Sequence, residues 1–157
     1  MSTTPSRIEI PSDASRLPMT LPRLNEMKRL REPIVMVTAY DYPSAVAAEK
    51  AGVDLVLVGD SGAMTVLGYD STVPVELDEI LMLAKATRRG LRSPFLIGDL
   101  PFGSYEISDE QAITSAMRFV KEAGCDAVKL EGGVPALLHG ADAVISATKG
   151  NKTVRCF

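Results

Sequence analysis

The sequence has no tryptophan, a single histidine and two cysteines. Without a His/Cys cluster, zinc is not the metal to expect. Two cysteines, Cys125 and Cys156, make no disulfide framework and suit a reducing compartment. No histidine lies near Cys125 in the chain, so it reads as a small buried residue and not as a nucleophile. No stretch approaches the roughly 20 apolar residues of a membrane helix. There is no basic excess either: 17 basic residues stand against 20 acidic, a net charge of -3, so nucleic acid is not an expected partner. Met1 to Leu21 has no apolar core and carries Glu9 and Asp13 beside Arg7 and Arg16, which excludes a secretory signal. The expected location is the cytoplasm, or the mitochondrion if the source is eukaryotic.

The 157 residues suffice for one domain, and 46% apolar with 24% charged residues is the balance of a water-soluble globular chain. Residues 1–21, with prolines at 5, 11 and 18, read as a flexible leader. Residues 22–148 read as the folded domain and 149–157 as a divergent tail. Pro22 to Arg31 predicts a short basic helix suited to capping the bottom of a barrel or to meeting another subunit. After it, strands and helices alternate. Strands are expected at Ile34–Ala39, Asp54–Val58, Phe95–Asp99 and Asp126–Leu130. The first helix should run over Ala45–Ala51, with Asp41 as N-cap and Gly52 as stop. The second starts after Pro74 with Glu76, Asp78 and Glu79 in its first turn, buries Leu77, Ile80, Leu81 and Ala84, and ends at Gly90. The third opens on a capping box of Ser108 and Gln111 and carries a stripe of Ile113, Ala116, Met117 and Val120. A fourth follows Pro135, and Lys152 to Phe157 has the composition of a fifth strand. No internal repeat beyond this alternation is expected. The fold class is α/β, and four βα units are either half of a (βα)8 barrel, which takes about 250 residues, or an open sheet.

Parallel strands bring their C-terminal ends to one side, where α/β folds keep their chemistry. Three strands end in an acid there: Asp60 in Gly59-Asp60-Ser61, then Asp99, then Glu131. Such a set suits a hard cation like Mg²⁺, completed by water and substrate oxygens. Lys129, two residues before Glu131, points the same way and calls for a negative partner such as a substrate carboxylate. Each acid alone serves equally well as a helix cap; three at successive strand ends favour a site. For Asp41 the N-cap is the better reading. Ser61 either binds a ligand or caps a helix. Gly132-Gly133 is a turn or an anion approach. His139 lies on the last predicted helix as a surface residue, and Tyr105 and Glu106 lie on a loop that either covers the mouth or faces solvent.

The segments VTAYDYPSA (37–45), LVGDSGAMTVLGYDSTVPV (57–75), GDLPFGSYEIS (98–108) and AVKLEGG (127–133) together resemble the ketopantoate hydroxymethyltransferase family over about Leu24 to Gly133. The resemblance implies a TIM-barrel fold related to the phosphoenolpyruvate mutase and isocitrate lyase group, here truncated to about four βα units. It implies transfer of a hydroxymethyl group from 5,10-methylenetetrahydrofolate to 3-methyl-2-oxobutanoate, giving 2-dehydropantoate. Asp60, Asp99 and Glu131 would surround Mg²⁺, and Asp60, Ser61, Asp99 and Lys129 would hold the 2-oxo acid. The chain departs from the family where it reads GDSGAM in place of GDSLGM. It also lacks a GHIGLTPQ-like segment, which His139 does not match. The family's general-base glutamate falls on the second half of the barrel, so no catalytic base is assigned and little turnover is expected. Two alternatives stand beside this reading: a non-catalytic half-barrel that associates with another chain, and a Mg²⁺-dependent 2-oxo acid lyase of the related group. By family analogy the protein is a homo-oligomer with a small-molecule substrate and neither membrane nor nucleic-acid partners.

Overall fold

The computed structural model describes residues 16–131. The elements, in chain order, are α1 (Leu21–Leu30), β1 (Met36–Thr38), α2 (Tyr42–Ala51), β2 (Leu55–Val58), α3 (Gly62–Thr65), α4 (Leu77–Gly90), β3 (Phe95–Asp99), α5 (Asp109–Ala123) and β4 (Ala127–Lys129). The strands form one parallel sheet in the order β1-β2-β3-β4, so each βα unit lies beside the one before it. This is a partial barrel whose described residues hold three βα units and the strand of a fourth. The helix expected after Pro135, His139, Gly132-Gly133, the strand over 152–157 and the tail lie outside the described residues.

Alternation along the strands divides the core in two. Val56, Val58, Leu96 and Val128 face α2, α4 and α5 in the larger cluster. Leu55, Phe95, Ile97 and Ala127 point to the other face, which Leu24 of α1 covers. Leu55 and Phe95 begin their strands, so α1 sits at the N-terminal end of the sheet and leaves the opposite end open. Residues 16–20, assigned to the leader by composition, are tied down at two points: Arg16 bonds Asp54 at 3.1 Å and the Met19 amide donates to the Ser93 carbonyl at 2.7 Å.

The helix ends follow their sequence signals with some shifts. Asp41 caps α2 through the Ser44 amide, and Gly52 closes it in the left-handed region at φ 71. Ser108 caps α5 by accepting from the Gln111 amide, but the Gln111 side chain accepts from Ile107 and not from Ser108, so only half of the capping box forms. The loop expected after β2 contains the short helix α3. The stripe expected on α5 is rotated: Ala112, Ser115, Ala116, Phe119 and Ala123 are buried while Met117 is exposed. Phe119 sets that rotation by seating over Gly98, where a Cβ would lie 2.3 Å from its ring. Ser115 is tolerated inside because its hydroxyl donates to the Ser104 carbonyl at 2.6 Å.

A short repeat, missed in the sequence, emerges from the fold. Gly52-Val53-Asp54-Leu55-Val56 and Gly124-Cys125-Asp126-Ala127-Val128 share the pattern Gly-x-Asp-x-Val. Each glycine closes a helix at positive φ. Each aspartate then accepts a backbone N–H from a neighbouring strand or its lead-in, Val35 for Asp54 and Leu96 for Asp126, both at 2.9 Å. Glu49 does similar work before β3. Burial opposes its ionisation, but bonds from the Arg92 amide and from the amide and hydroxyl of Ser93 hold its carboxyl below the ordinary value. Cys125 is buried, and burial pushes its thiol up to about 12, as an inert core residue requires.

Candidate functional site

The open end of the sheet gathers the residues singled out in the sequence. Asp99 is the last residue of β3 and Lys129 the last of β4, and the two are register partners. Both lie two residues beyond inner-face positions, Ile97 and Ala127, so their side chains emerge on the same face. The Lys129 ammonium donates to Asp99 Oδ1 at 2.9 Å and Oδ2 at 2.7 Å, and also to Glu131 Oε1. Asp99 Oδ2 accepts the Asp60 amide at 3.3 Å, which ties the end of β2 to the end of β3. Asp60, Asp99, Lys129 and Glu131 therefore form one connected group across three strand ends.

Asp99 is 2% exposed. Burial pushes its carboxyl above the ordinary value, the Asp60 charge adds to that, and the bonds from Lys129 offset only part of it. For Lys129 burial works against the charge, yet the bonds to Asp99 and Glu131 win and raise it. Asp99 is thus an ionisable group held where ionisation is costly, a pattern frequent at functional sites.

Two tyrosines complete the site: Tyr105, whose loop the sequence places either over the mouth or facing solvent, and Tyr40, to which it assigns no role. Tyr40, just past β1, shares a 2.9 Å hydrogen bond with Ser61 Oγ. Its ring reaches there because residue 62 is glycine: a Cβ at Gly62 would stand 2.9 Å from the Tyr40 ring and 2.8 Å from Leu83. Ser61 is the N-cap of α3 yet makes no side-chain capping bond, which settles its open reading against a cap. Tyr105 is buried; its hydroxyl donates to the Glu131 carbonyl and accepts from the Glu131 amide at 3.0 Å. Burial, first of all, keeps that phenol protonated. The only sequence signal for either tyrosine was its place one or a few residues beyond a strand end.

A cleft of about 370 Å³ borders this group, lined by Asp60, Thr72, Val73, Leu100, Phe102, Tyr105, Glu106 and Glu131, so Asp60 and Glu131 are the members of the group that reach it. Tyr105 and Glu106 therefore belong to the mouth. Its lining is acidic, with three carboxylates, Asp60, Glu106 and Glu131, and no basic side chain. Among the described residues no group of three or more His, Cys, Asp or Glu is arranged to hold a metal ion, and Lys129 engages both Asp99 oxygens as well as the Glu131 carboxylate, bonds that a cation would have to displace. The donors do fit a cation that takes one or two carboxylates and fills its shell with water and substrate oxygens, as Mg²⁺ does.

A parallel sheet of successive βα units with its polar residues gathered at the C-terminal strand ends is the architecture of part of an α/β barrel domain. Among solved structures it resembles 2,3-dimethylmalate lyase, a PEP mutase/isocitrate lyase superfamily member, at TM-score 0.66 and 16% identity, covering 86% of this chain and 51% of that one. It also resembles phosphoenolpyruvate phosphomutase from Streptomyces platensis subsp. rosaceus, at TM-score 0.63 and 16% identity, over 82% and 50%. At that identity the likeness is one of fold. The chain belongs to the ketopantoate hydroxymethyltransferase family, whose sequence profile matches residues 18–148. It is 51% identical over 129 residues to the mitochondrial 3-methyl-2-oxobutanoate hydroxymethyltransferase 1 of Arabidopsis thaliana, covering 82% of this chain and 37% of that protein. It is 57% identical over 106 residues to the Geobacillus kaustophilus protein of the same activity name, over 68% and 38%, and 50% identical to that of Moorella thermoacetica, over 85% and 49%. The chain spans less than half the length of these relatives.

Proposed function

We propose that this chain supplies the cation and 2-oxo acid site of a 3-methyl-2-oxobutanoate hydroxymethyltransferase, which moves a hydroxymethyl group from 5,10-methylenetetrahydrofolate to 3-methyl-2-oxobutanoate and forms 2-dehydropantoate. The observation that carries the reading is the connected group of Asp60, Asp99, Lys129 and Glu131 at the mouth of a family-matched half-barrel. Asp60 and Asp99 would hold Mg²⁺, which when bound supplies Lewis-acid polarisation of the 2-oxo group. Lys129 meets the substrate carboxylate, exchanging part of its bonding to Asp99 and Glu131 for the new anion. Ser61, with its hydroxyl oriented by Tyr40, donates to the keto oxygen. Tyr105 fixes the backbone of Glu131 and closes the mouth on that side. Because the cleft carries more carboxylates than ammonium groups, a 2-oxo acid enters only after the cation. The protein would work in the cytoplasm, or in the mitochondrion, as the name of the Arabidopsis relative states for that protein.

Deuterium exchange at C3 of 3-methyl-2-oxobutanoate in D₂O, with Mg²⁺ and without folate, tests the reading at the level of chemistry. No base is assigned to this chain, so a folded chain that binds both ligands should exchange no faster than Mg²⁺ alone. Faster exchange would assign the chain a base as well, and a folded chain that binds neither ligand would overturn the reading.

A further inference from the structure

The cleft has a polar floor and an apolar lip. Val73 and Phe102 are 61% and 63% exposed, they sit on two different loops, and both line the same cleft, with the buried Leu100 beneath. One exposed apolar side chain is ordinary on a protein surface; two over a set of convergent polar groups are the pattern of a ligand pocket.

Both loops are held in place. The one carrying Val73 is anchored by the Tyr69 hydroxyl, which donates to Glu79 Oε1 at 2.8 Å, and by the Tyr69 amide on the Ala63 carbonyl at 3.0 Å. The one carrying Phe102 is anchored by Gln111 Nε2 on the Gly103 carbonyl at 2.8 Å, by Ser115 on Ser104, and by the Glu106 carboxylate on the Gly103 amide at 2.8 Å. The lip is preformed, so little ordering cost accompanies binding.

Resting on the function proposed above, we propose that Val73 and Phe102 read the hydrocarbon branch of the 2-oxo acid and make the site selective for branched over short 2-oxo acids. Of the residues that would take up the carboxylate and keto oxygens, Asp60, Asp99, Ser61 and Lys129, it is Asp60 that lines the same cleft as Val73 and Phe102, so the alkyl group at C3 is the part of the molecule left for the lip. Removing a carbon from a ligand in such a pocket costs at least severalfold in affinity.

The test is a calorimetric titration of pyruvate, 2-oxobutanoate and 3-methyl-2-oxobutanoate, at saturating Mg²⁺, into the 157-residue chain and its Val73→Ala, Phe102→Ala and doubly substituted variants. The unaltered chain should bind the branched acid about tenfold more tightly than pyruvate. The double variant should bring the two within about twofold, with the pyruvate and Mg²⁺ affinities unchanged, since neither side chain bonds a carboxylate. Retained tenfold selectivity in the double variant overturns the proposal, and so does an equal loss for all three acids. Retained selectivity with weaker binding of 5,10-methylenetetrahydrofolate would give the lip to the carbon donor. An unaltered chain that binds the acids without preference defeats the lip alone; one that binds none of them defeats the function proposed above as well.

Discussion

Asp99→Asn is expected to weaken binding of Mg²⁺ and of 3-methyl-2-oxobutanoate together by about 100-fold or more, while leaving the fold at least as stable as before. The binding loss follows from removing a charged oxygen donor from the cation; losing a mere supporting partner already costs 10- to 100-fold in known metal sites. The stability side follows from burial. Asp99 is almost wholly enclosed, and its carboxyl is raised in spite of Lys129. A group raised in the fold contributes stability that is complete below the unfolded carboxylate value and is lost as pH climbs through the folded one. Near neutral pH the ionised carboxylate is therefore a cost to the fold, which asparagine avoids while still accepting the Asp60 amide. Lys129 keeps Glu131 as partner. Urea unfolding at pH 4 and pH 7 checks this: the variant should gain on the unaltered chain between the two. A variant that binds both ligands normally would remove Asp99 from the site.

The second large effect concerns a residue with no side chain. Gly98→Val should destabilise the domain by about 3 kcal/mol or more, among the largest effects a single core substitution produces. A Cβ at that position lies 2.3 Å and 2.7 Å from ring carbons of Phe119 and 3.1 Å from Cys125 Sγ, and Phe119 is fully buried with nowhere to go. The strain falls directly before Asp99, so ligand binding should fail even where some folded chain survives. Pairing the substitution with Phe119→Leu should recover part of the loss, because the two share one contact. Denaturant midpoints of the single and double variants measure this; additive losses would mean that the contact is not what excludes a side chain.

How far the sequence led depended on whether a feature was local. Phe95–Asp99 was bounded correctly because an apolar run and a terminal acid coincide there. Asp41 and Gly52 were placed correctly because capping depends on a few adjacent residues. The acids at strand ends were legible because parallel topology carries successive strand ends to one mouth. What failed depended on contacts across the chain. The α5 stripe was misplaced because Phe119 finds the gap at Gly98, some twenty positions earlier. Ser61 stayed undecided because its partner, Tyr40, arrives from another strand. The three-carboxylate set did not foresee that Lys129 bridges Asp99 and Glu131, because spacing gives the side-chain direction but not the bond that side chain makes.

The most direct measurement is calorimetric titration of 3-methyl-2-oxobutanoate into the folded chain, once with saturating Mg²⁺ and once after EDTA treatment. The anionic mouth and the Asp60–Asp99 pair predict saturable binding, one 2-oxo acid per chain, only when Mg²⁺ is present. Equal binding after EDTA, or none with Mg²⁺, would contradict the assignment of these strand ends as the substrate site.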